Sequence, residues 1–114
     1  MKLVVIESPF AGATPELAER NVQYAREAMR DSLRRGEAPF ASHLLYAQPG
    51  VLDDGIPEER TLGIAAGLLW GRHAGLVAVY SDLGITSGMK LGTDAARARG
   101  AEVVFRSLPG WVRP

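Results

Sequence analysis

The fold is decided by residues 75–100, which read GLVAVYSDLGITSGMKLGTDAARARG. Residues 76–80 form an unbroken apolar run, which is typical of a strand covered on both faces by helices. From residue 87 onward apolar residues recur at helical spacing, and Gly100 is placed to end that helix. A strand, a glycine-bearing loop and a helix therefore follow one another, as in one βα unit of a parallel sheet.

The first third of the chain repeats this alternation. Residues 3–6 form a second apolar strand, and an amphipathic helix follows with Thr14 as its cap and Pro15 as its first residue. Residues 38–42 are predicted to form a weak strand at the edge of the sheet, because Pro39 cannot donate to a strand ladder.

The second half supplies the remaining elements. The turn-rich segment 48–57 is long enough to cover a site as well as to connect elements. A helix is predicted over residues 57–70 and a last strand over residues 101–106, and residues 107–114 form a turn-rich tail.

The order of elements is therefore β-α-β-α-β-α-β. It predicts a single α/β domain over residues 1–114, of the three-layer flavodoxin-like or Rossmann-like type, with a four-stranded parallel sheet in the order 2-1-3-4. The two most apolar strands take the central positions. In such sheets the ligand crevice lies at the switch point, which here falls between the loops at residues 7–13 and 81–88.

Composition gives no support to several classes of function. Lys and Arg together number 13, as do Asp and Glu, so no excess of basic charge favours nucleic acid. The chain has no cysteine, and His43 and His73 lack the short spacing of a metal motif, so we expect neither metal nor cofactor. No apolar stretch is long enough to span a bilayer. We expect a soluble cytoplasmic protein.

Two groups of candidate site residues follow the central strands: serines with glycines, and carboxylates. Ser8, Gly12, Ser87 and Gly88 offer hydroxyl groups and close backbone approach beside a helix start, which suits a phosphate or carboxylate. The alternative is an ordinary loop with a serine cap. Glu7 and Asp82 each follow a strand directly, and they serve either a sugar hydroxyl and acid–base chemistry or the capping of a loop.

Three further residues have both a functional and a structural interpretation. His43 follows the edge strand and either reaches the crevice or packs among its apolar neighbours. Arg60 lies in the first turn of a helix and holds either a phosphate or a salt bridge. Asn21 is a possible inward polar group of the first helix.

A resemblance follows from four short motifs: Ser8-Pro9-Phe10-Ala11-Gly12, Asn21 with Tyr24-Ala25, Pro39 with His43-Leu44, and Ser87-Gly88-Met89-Lys90-Leu91-Gly92. Together they resemble the nucleoside 2-deoxyribosyltransferase-like superfamily, particularly its small uncharacterised bacterial and phage members, over residues 2–106. The resemblance implies a crevice for a nucleoside or nucleotide, frequent oligomers, and in the enzymes a glutamate nucleophile that attacks the anomeric carbon of deoxyribose.

The chain departs from that pattern at one position. Lys90 stands where the transferases have their glutamate, and lysine cannot form the same glycosyl-enzyme ester. The catalytic candidates that remain are Glu7, Asp82 and Asp94. The predicted ligand-binding residues are Ser8, Pro9, Phe10, Gly12, Asn21, His43, Arg60, Ser87, Gly88, Met89 and Lys90.

Three functions stay open at this point. The first is a nucleotide-binding or nucleoside-binding protein, the second an N-glycosidase or deoxyribosyltransferase with a replaced nucleophile, and the third a structural protein with a vestigial site. Residues 62–70 are apolar nearly all round and small at Gly63, Ala66 and Gly67. We therefore expect at least a homodimer that forms through the helix at residues 57–70.

Overall fold

The computed structural model describes residues 1–111. Its strands form one four-stranded parallel sheet in the order β2-β1-β3-β4. The strands are β1 (Leu3–Glu7), β2 (Ala38–Phe40), β3 (Leu76–Tyr80) and β4 (Glu102–Arg106). In the register of the central strands Val5 pairs with Val77, and Val77 pairs with Val103. The predicted fold and strand order are confirmed, and the switch point lies between β1 and β3. The end of the predicted tail, residues 112–114, lies outside the described residues.

The helices are α1 (Pro15–Arg34), α2 (Ser42–Tyr46), α3 (Pro57–Gly71) and α4 (Ser87–Ala98), and a short 3-10 helix covers Pro109–Trp111. The predicted start of α1 is confirmed, since Thr14 accepts the Leu17 N–H at 3.2 Å and Pro15 is the first helical residue. Gly36, which follows α1, has a φ of 81°, a left-handed conformation that favours glycine.

Two local predictions need correction. The edge strand ends at Phe40 and not at residue 42, and residues 42–46, for which no helix was predicted, form α2. Leu44 of α2 is partly buried against the core, a tertiary contact that the local sequence pattern does not show. The cap of α4 is Thr86 and not a serine: its Oγ1 accepts the Met89 N–H at 3.2 Å.

The sheet is covered on both faces, as the unbroken apolar run of β3 predicted. Ala78 and Tyr80 face α1, where they pack in one core with Tyr24. Val77 and Val79 face the other side and pack against α4. All five residues of β3 are buried.

Helix α3 is placed differently from the other long helices. It packs chiefly against α2, and it leaves a cleft between itself and α4 above the sheet. Among residues 1–111 no helix is both long enough and apolar enough to cross a bilayer.

Candidate functional site

A cleft between α3 and α4 lies on this side of the sheet. Its volume is about 410 Å³, and Val5 and Val77 contribute to its apolar floor. It includes the start of the loop after β1 and the start of α4, which meet at the switch point. The polar side chains that line this end are Glu7, Ser8, Ser42, His43, Asp54, Arg60, Thr86 and Ser87. Ligands of open α/β sheets bind in this position.

Glu7, the last residue of β1, extends into the cleft against α4. Its carboxylate lies where a side chain at Gly92 would begin, and the carboxyl carbon is 2.7 Å from that point. A side chain larger than hydrogen at Gly92 would therefore displace the acid. Burial raises the pKa of Glu7 from 4.5 to about 8. At neutral pH the group holds its proton and is able to donate it.

Ser8 and His43 both line the cleft, and each has one buried polar atom without a hydrogen-bond partner among the described residues. Ser8 is 1% exposed. Neither Ser8 Oγ nor His43 Nε2, both buried, has a hydrogen-bond partner among residues 1–111. The His43 ring stacks on Phe10 with 5.1 Å between ring centroids and an interplanar angle of 18°. Burial lowers the pKa of His43, so its imidazole is neutral at pH 7.

Arg60 reaches from the first turn of α3 toward the start of α4. Its Nη2 lies 3.8 Å from the point where a side chain at Gly88 would begin. Its Nη1 donates to Asp54 Oδ2 at 3.3 Å, and both partners line the cleft. Thr86 accepts the Met89 N–H, whereas the N–H groups of Ser87 and Gly88, which precede it in α4, have no acceptor within the helix, and Gly88 lies beside this cation. An anion is attracted here both by the Arg60 guanidinium and by the start of α4. In this structure the Asp54 carboxylate is the anion that pairs with Arg60.

Most of the predicted site residues meet in this cleft. It is lined by Glu7, Ser8, Phe10, His43, Arg60, Ser87, Gly88 and Met89. Met89 is itself a core residue that anchors α4. Asp54 was not predicted as a site residue and was placed only in the turn-rich segment 48–57. Nothing in the sequence distinguishes it from its acidic neighbour Asp53.

Three other predicted residues shape the loop after β1 without lining the cleft. Asn21 donates through Nδ2 to the carbonyl oxygens of Phe10 and Ala11 at 3.2 Å each. Gly12 packs so closely against the first turn of α1 that a Cβ would lie 2.7 Å from the Leu17 carbonyl carbon. Pro9 is buried beside them. These residues position the loop and do not present groups to a ligand.

The remaining predicted site residues lie away from the cleft. Asp82 accepts the Tyr24 hydroxyl at 2.7 Å and the Leu108 N–H at 2.8 Å on the α1 side of the sheet. Lys90 and Asp94 form an ion pair at 3.3 Å, with side chains 75% and 56% exposed. Because Met89 points into the core, the helical turn directs Lys90 to solvent. Placing these three in the crevice was wrong.

A metal centre has no obvious location. In the part of the chain that the structure describes, no three histidine or acidic side chains are grouped closely enough to hold a metal ion. At the end of the cleft beside the start of α4, the groups available for chemistry are the protonated acid Glu7, the uncharged Ser8 and His43, and the Arg60 guanidinium with its partner Asp54.

Comparison with known proteins identifies one family. The sequence model of the family described as "Domain of unknown function (DUF7768)" matches residues 2–106. None of the curated proteins compared with the chain matches it. The resemblance to the nucleoside 2-deoxyribosyltransferase-like superfamily stays a prediction.

Proposed function

The chain belongs to the DUF7768 family, and we propose that it binds a nucleotide or a nucleoside-like ligand in the cleft between α3 and α4. The phosphate lies against the first turn of α4 at Ser87 and Gly88, beside Arg60. The observation that carries this proposal is the approach of the Arg60 guanidinium to the start of α4, 3.8 Å from the position of a side chain at Gly88.

The charges at this end of the cleft support an anionic group. A cation beside a helix N-terminus is disfavoured by the helix dipole unless an anion accompanies it. Asp54 supplies that anion through its 3.3 Å contact with Arg60, and the pair is partly exposed. A phosphate would make charge-assisted bonds to Arg60 and to the free N–H groups of α4, and it would displace Asp54.

The size and lining of the cleft support a nucleoside-sized remainder. About 410 Å³ lies within the range of small-molecule sites, and the floor combines apolar side chains with few polar ones. The resemblance to the nucleoside 2-deoxyribosyltransferase-like superfamily points to the same ligand class.

Glu7 favours a second candidate function, the hydrolysis of an N-glycosidic bond. A carboxylic acid whose pKa is raised to about 8 is suited to protonate a leaving base. Of the three carboxylates considered as replacements for the missing glutamate, Glu7 alone lines the cleft. In this alternative Glu7 acts as a general acid, and the nucleophile is water.

Calorimetric titration of Arg60→Gln with nucleosides and their 5′-monophosphates tests the proposal. The variant should bind monophosphates about 10-fold more weakly than the wild type, because one charge-assisted bond is lost, and it should bind nucleosides equally well. Following the same mixtures by chromatography for released base distinguishes the binding protein from the glycosidase.

Lys90→Gln is the matched control. Lys90 also pairs with an aspartate at 3.3 Å and also lies in the first turn of a helix, but its side chain is outside the cleft. Its replacement should change monophosphate affinity less than 2-fold, since exposed charges are screened. Equal losses in the two variants, or no binding of any nucleotide by the wild type, would contradict the proposal.

The homodimer through α3 also stays a proposal. Leu62, Leu69 and Trp70 of α3 are each more than half exposed, which is unusual for large apolar side chains on one helix. Light scattering at micromolar concentration should give at least twice the chain mass, and Trp70→Lys should reduce it. A monomeric wild type would remove this proposal. A dimer without nucleotide binding would instead favour the structural protein with a vestigial site.

A further inference from the structure

Ser8 and His43 each have a buried polar atom without a hydrogen-bond partner among the described residues. A buried hydroxyl or imidazole nitrogen without a partner costs free energy, so natural proteins rarely keep one without a use. Here the two residues that carry such atoms, Ser8 with its Oγ and His43 with its Nε2, line the same cleft. Other buried hydroxyls of the chain are paired: Ser32 Oγ donates to Glu37 at 2.8 Å, and Thr93 Oγ1 donates to the Met89 carbonyl oxygen at 2.8 Å.

The two residues follow neighbouring strands. Ser8 comes directly after β1, and His43 lies in the first turn of α2, which follows β2. Phe10, two residues beyond Ser8, stacks on the His43 ring, and all three residues line the cleft. The stack therefore brings the loop that carries Ser8 and the helix that carries His43 to one region of the cleft. The stack of His43 on Phe10 fixes the orientation of the imidazole.

The chemistry of the pair selects an uncharged partner. Ser8 carries no charge, and burial lowers the pKa of His43, so this region offers no cation to a phosphate. One cation of the cleft, Arg60 of α3, lies instead beside the start of α4. A ligand hydroxyl both donates and accepts, so it satisfies a serine hydroxyl and either tautomer of a neutral imidazole.

We propose that Ser8 and His43 form a subsite for the two neighbouring hydroxyl groups of a ribose, so that the chain prefers ribonucleotides to deoxyribonucleotides. This inference rests on the proposed nucleotide function and specifies its sugar. It differs from the expectation of a deoxyribose that the sequence resemblance carries.

Parallel titrations with a ribonucleoside 5′-monophosphate and its 2′-deoxy and 3′-deoxy analogues test the subsite. For the wild type, removal of either hydroxyl should weaken binding about 10-fold, because a buried polar group is left unpaired. Ser8→Ala and His43→Phe should each bind the ribonucleotide about 10-fold more weakly and should lose the preference for one of the two hydroxyls. Phenylalanine keeps a ring that stacks on Phe10.

Thermal unfolding without ligand separates a binding role from a structural one. Ser8→Ala and His43→Phe should leave the melting temperature unchanged or raise it, since each removes a buried group that has no partner among the described residues. Ser32→Ala is the matched control: it removes a paired buried hydroxyl, so it should lower the melting temperature by about 4–8 °C and leave the sugar preference intact.

The outcomes are distinguishable. Equal wild-type affinity for the ribonucleotide and both deoxy analogues overturns the ribose subsite and leaves nucleotide binding standing. A melting temperature that falls in Ser8→Ala and His43→Phe as it does in Ser32→Ala assigns both groups to folding and overturns the subsite as well. Absence of binding by every nucleotide overturns the proposed function and this inference with it.

Discussion

Replacing Arg106 by methionine is expected to lower the free energy of unfolding at pH 7 by about 3–5 kcal/mol, because it leaves the Glu37 carboxylate buried without its counter-charge. The two side chains are 9% and 12% exposed. Arg106 donates from Nη1 and Nη2 to the two carboxylate oxygens of Glu37 at 2.7 Å each. Such a two-bond geometry is the strong form of an ion pair.

The pair is the centre of a network that joins α1, β3, β4 and the residue before β2. Ser32 donates to Glu37 at 2.8 Å, Arg106 also donates to the Tyr80 hydroxyl at 3.2 Å, and that hydroxyl donates to Asp31 at 2.7 Å. The hydrogen bonds from Arg106 hold the pKa of Glu37 at about 2, below its ordinary 4.5. The stability that this carboxylate contributes is therefore present above pH 4.5 and is lost as the pH falls toward 2.

Urea unfolding at pH 7 and pH 3 measures both effects. The loss caused by Arg106→Met should be smaller at pH 3, where protonation of Glu37 relieves the unpaired charge. The double variant Arg106→Met with Glu37→Leu should recover much of the loss, since two apolar side chains replace both charges. As a control, Lys90→Met breaks an exposed pair and should cost less than about 1 kcal/mol. A loss below 1 kcal/mol for Arg106→Met would contradict the assignment.

The fold was predictable because its signals are local and strong. The apolar run of β3 required cover on both faces, and the alternation of strands and helices then required parallel strands with helical crossovers. The segment at Ser42 was not predictable in the same way. Leu44 of α2 packs against residues that are distant in the sequence, and a single sequence does not show which distant residues will meet.

The candidate site was predictable where topology determines it. The loop after β1 and the start of α4 meet because the carboxyl ends of central parallel strands meet, and this logic placed Glu7, Ser8 and Ser87 correctly in one cleft. It failed for Asp82, since the residue after a strand can turn to either face of the sheet. Asp82 turns toward Tyr24 on the α1 side.

Lys90 and Asp54 show that sequence patterns do not determine side-chain directions: Lys90 was predicted in the cleft and lies outside it, whereas Asp54 was not predicted and lines it. Lys90 belongs to a motif whose neighbours do line the cleft, yet its position on the helix directs it outward, because Met89 already occupies the inward direction. Asp54 belongs to a covering segment with no motif, and its role follows only from the contact with Arg60. Sequence patterns determine which loops meet, whereas side-chain directions depend on packing.

Replacing Glu7 by glutamine is expected to make the protein more stable at alkaline pH by about 2–4 kcal/mol and to leave its stability near pH 4.5 almost unchanged. The folded state holds a proton on Glu7 up to about pH 8, whereas the unfolded chain releases it at about 4.5. The wild type therefore loses stability as the pH rises from 4.5 through 8. Each pKa unit corresponds to about 1.4 kcal/mol, and solvent at the mouth of the cleft reduces the full value.

Urea unfolding from pH 4.5 to pH 9 measures this difference, and the carboxyl carbon resonance of Glu7 reports its titration directly. Glu102→Gln, which removes an exposed charge at the start of β4, should keep the alkaline decline of the wild type. A resonance that titrates near 4.5, or a Glu7→Gln variant with the same decline as the wild type, would mean that Glu7 is ionised in the folded protein. A carboxylate of that kind has no proton to give to a leaving base at neutral pH, so the same measurement would also remove the glycosidase candidate.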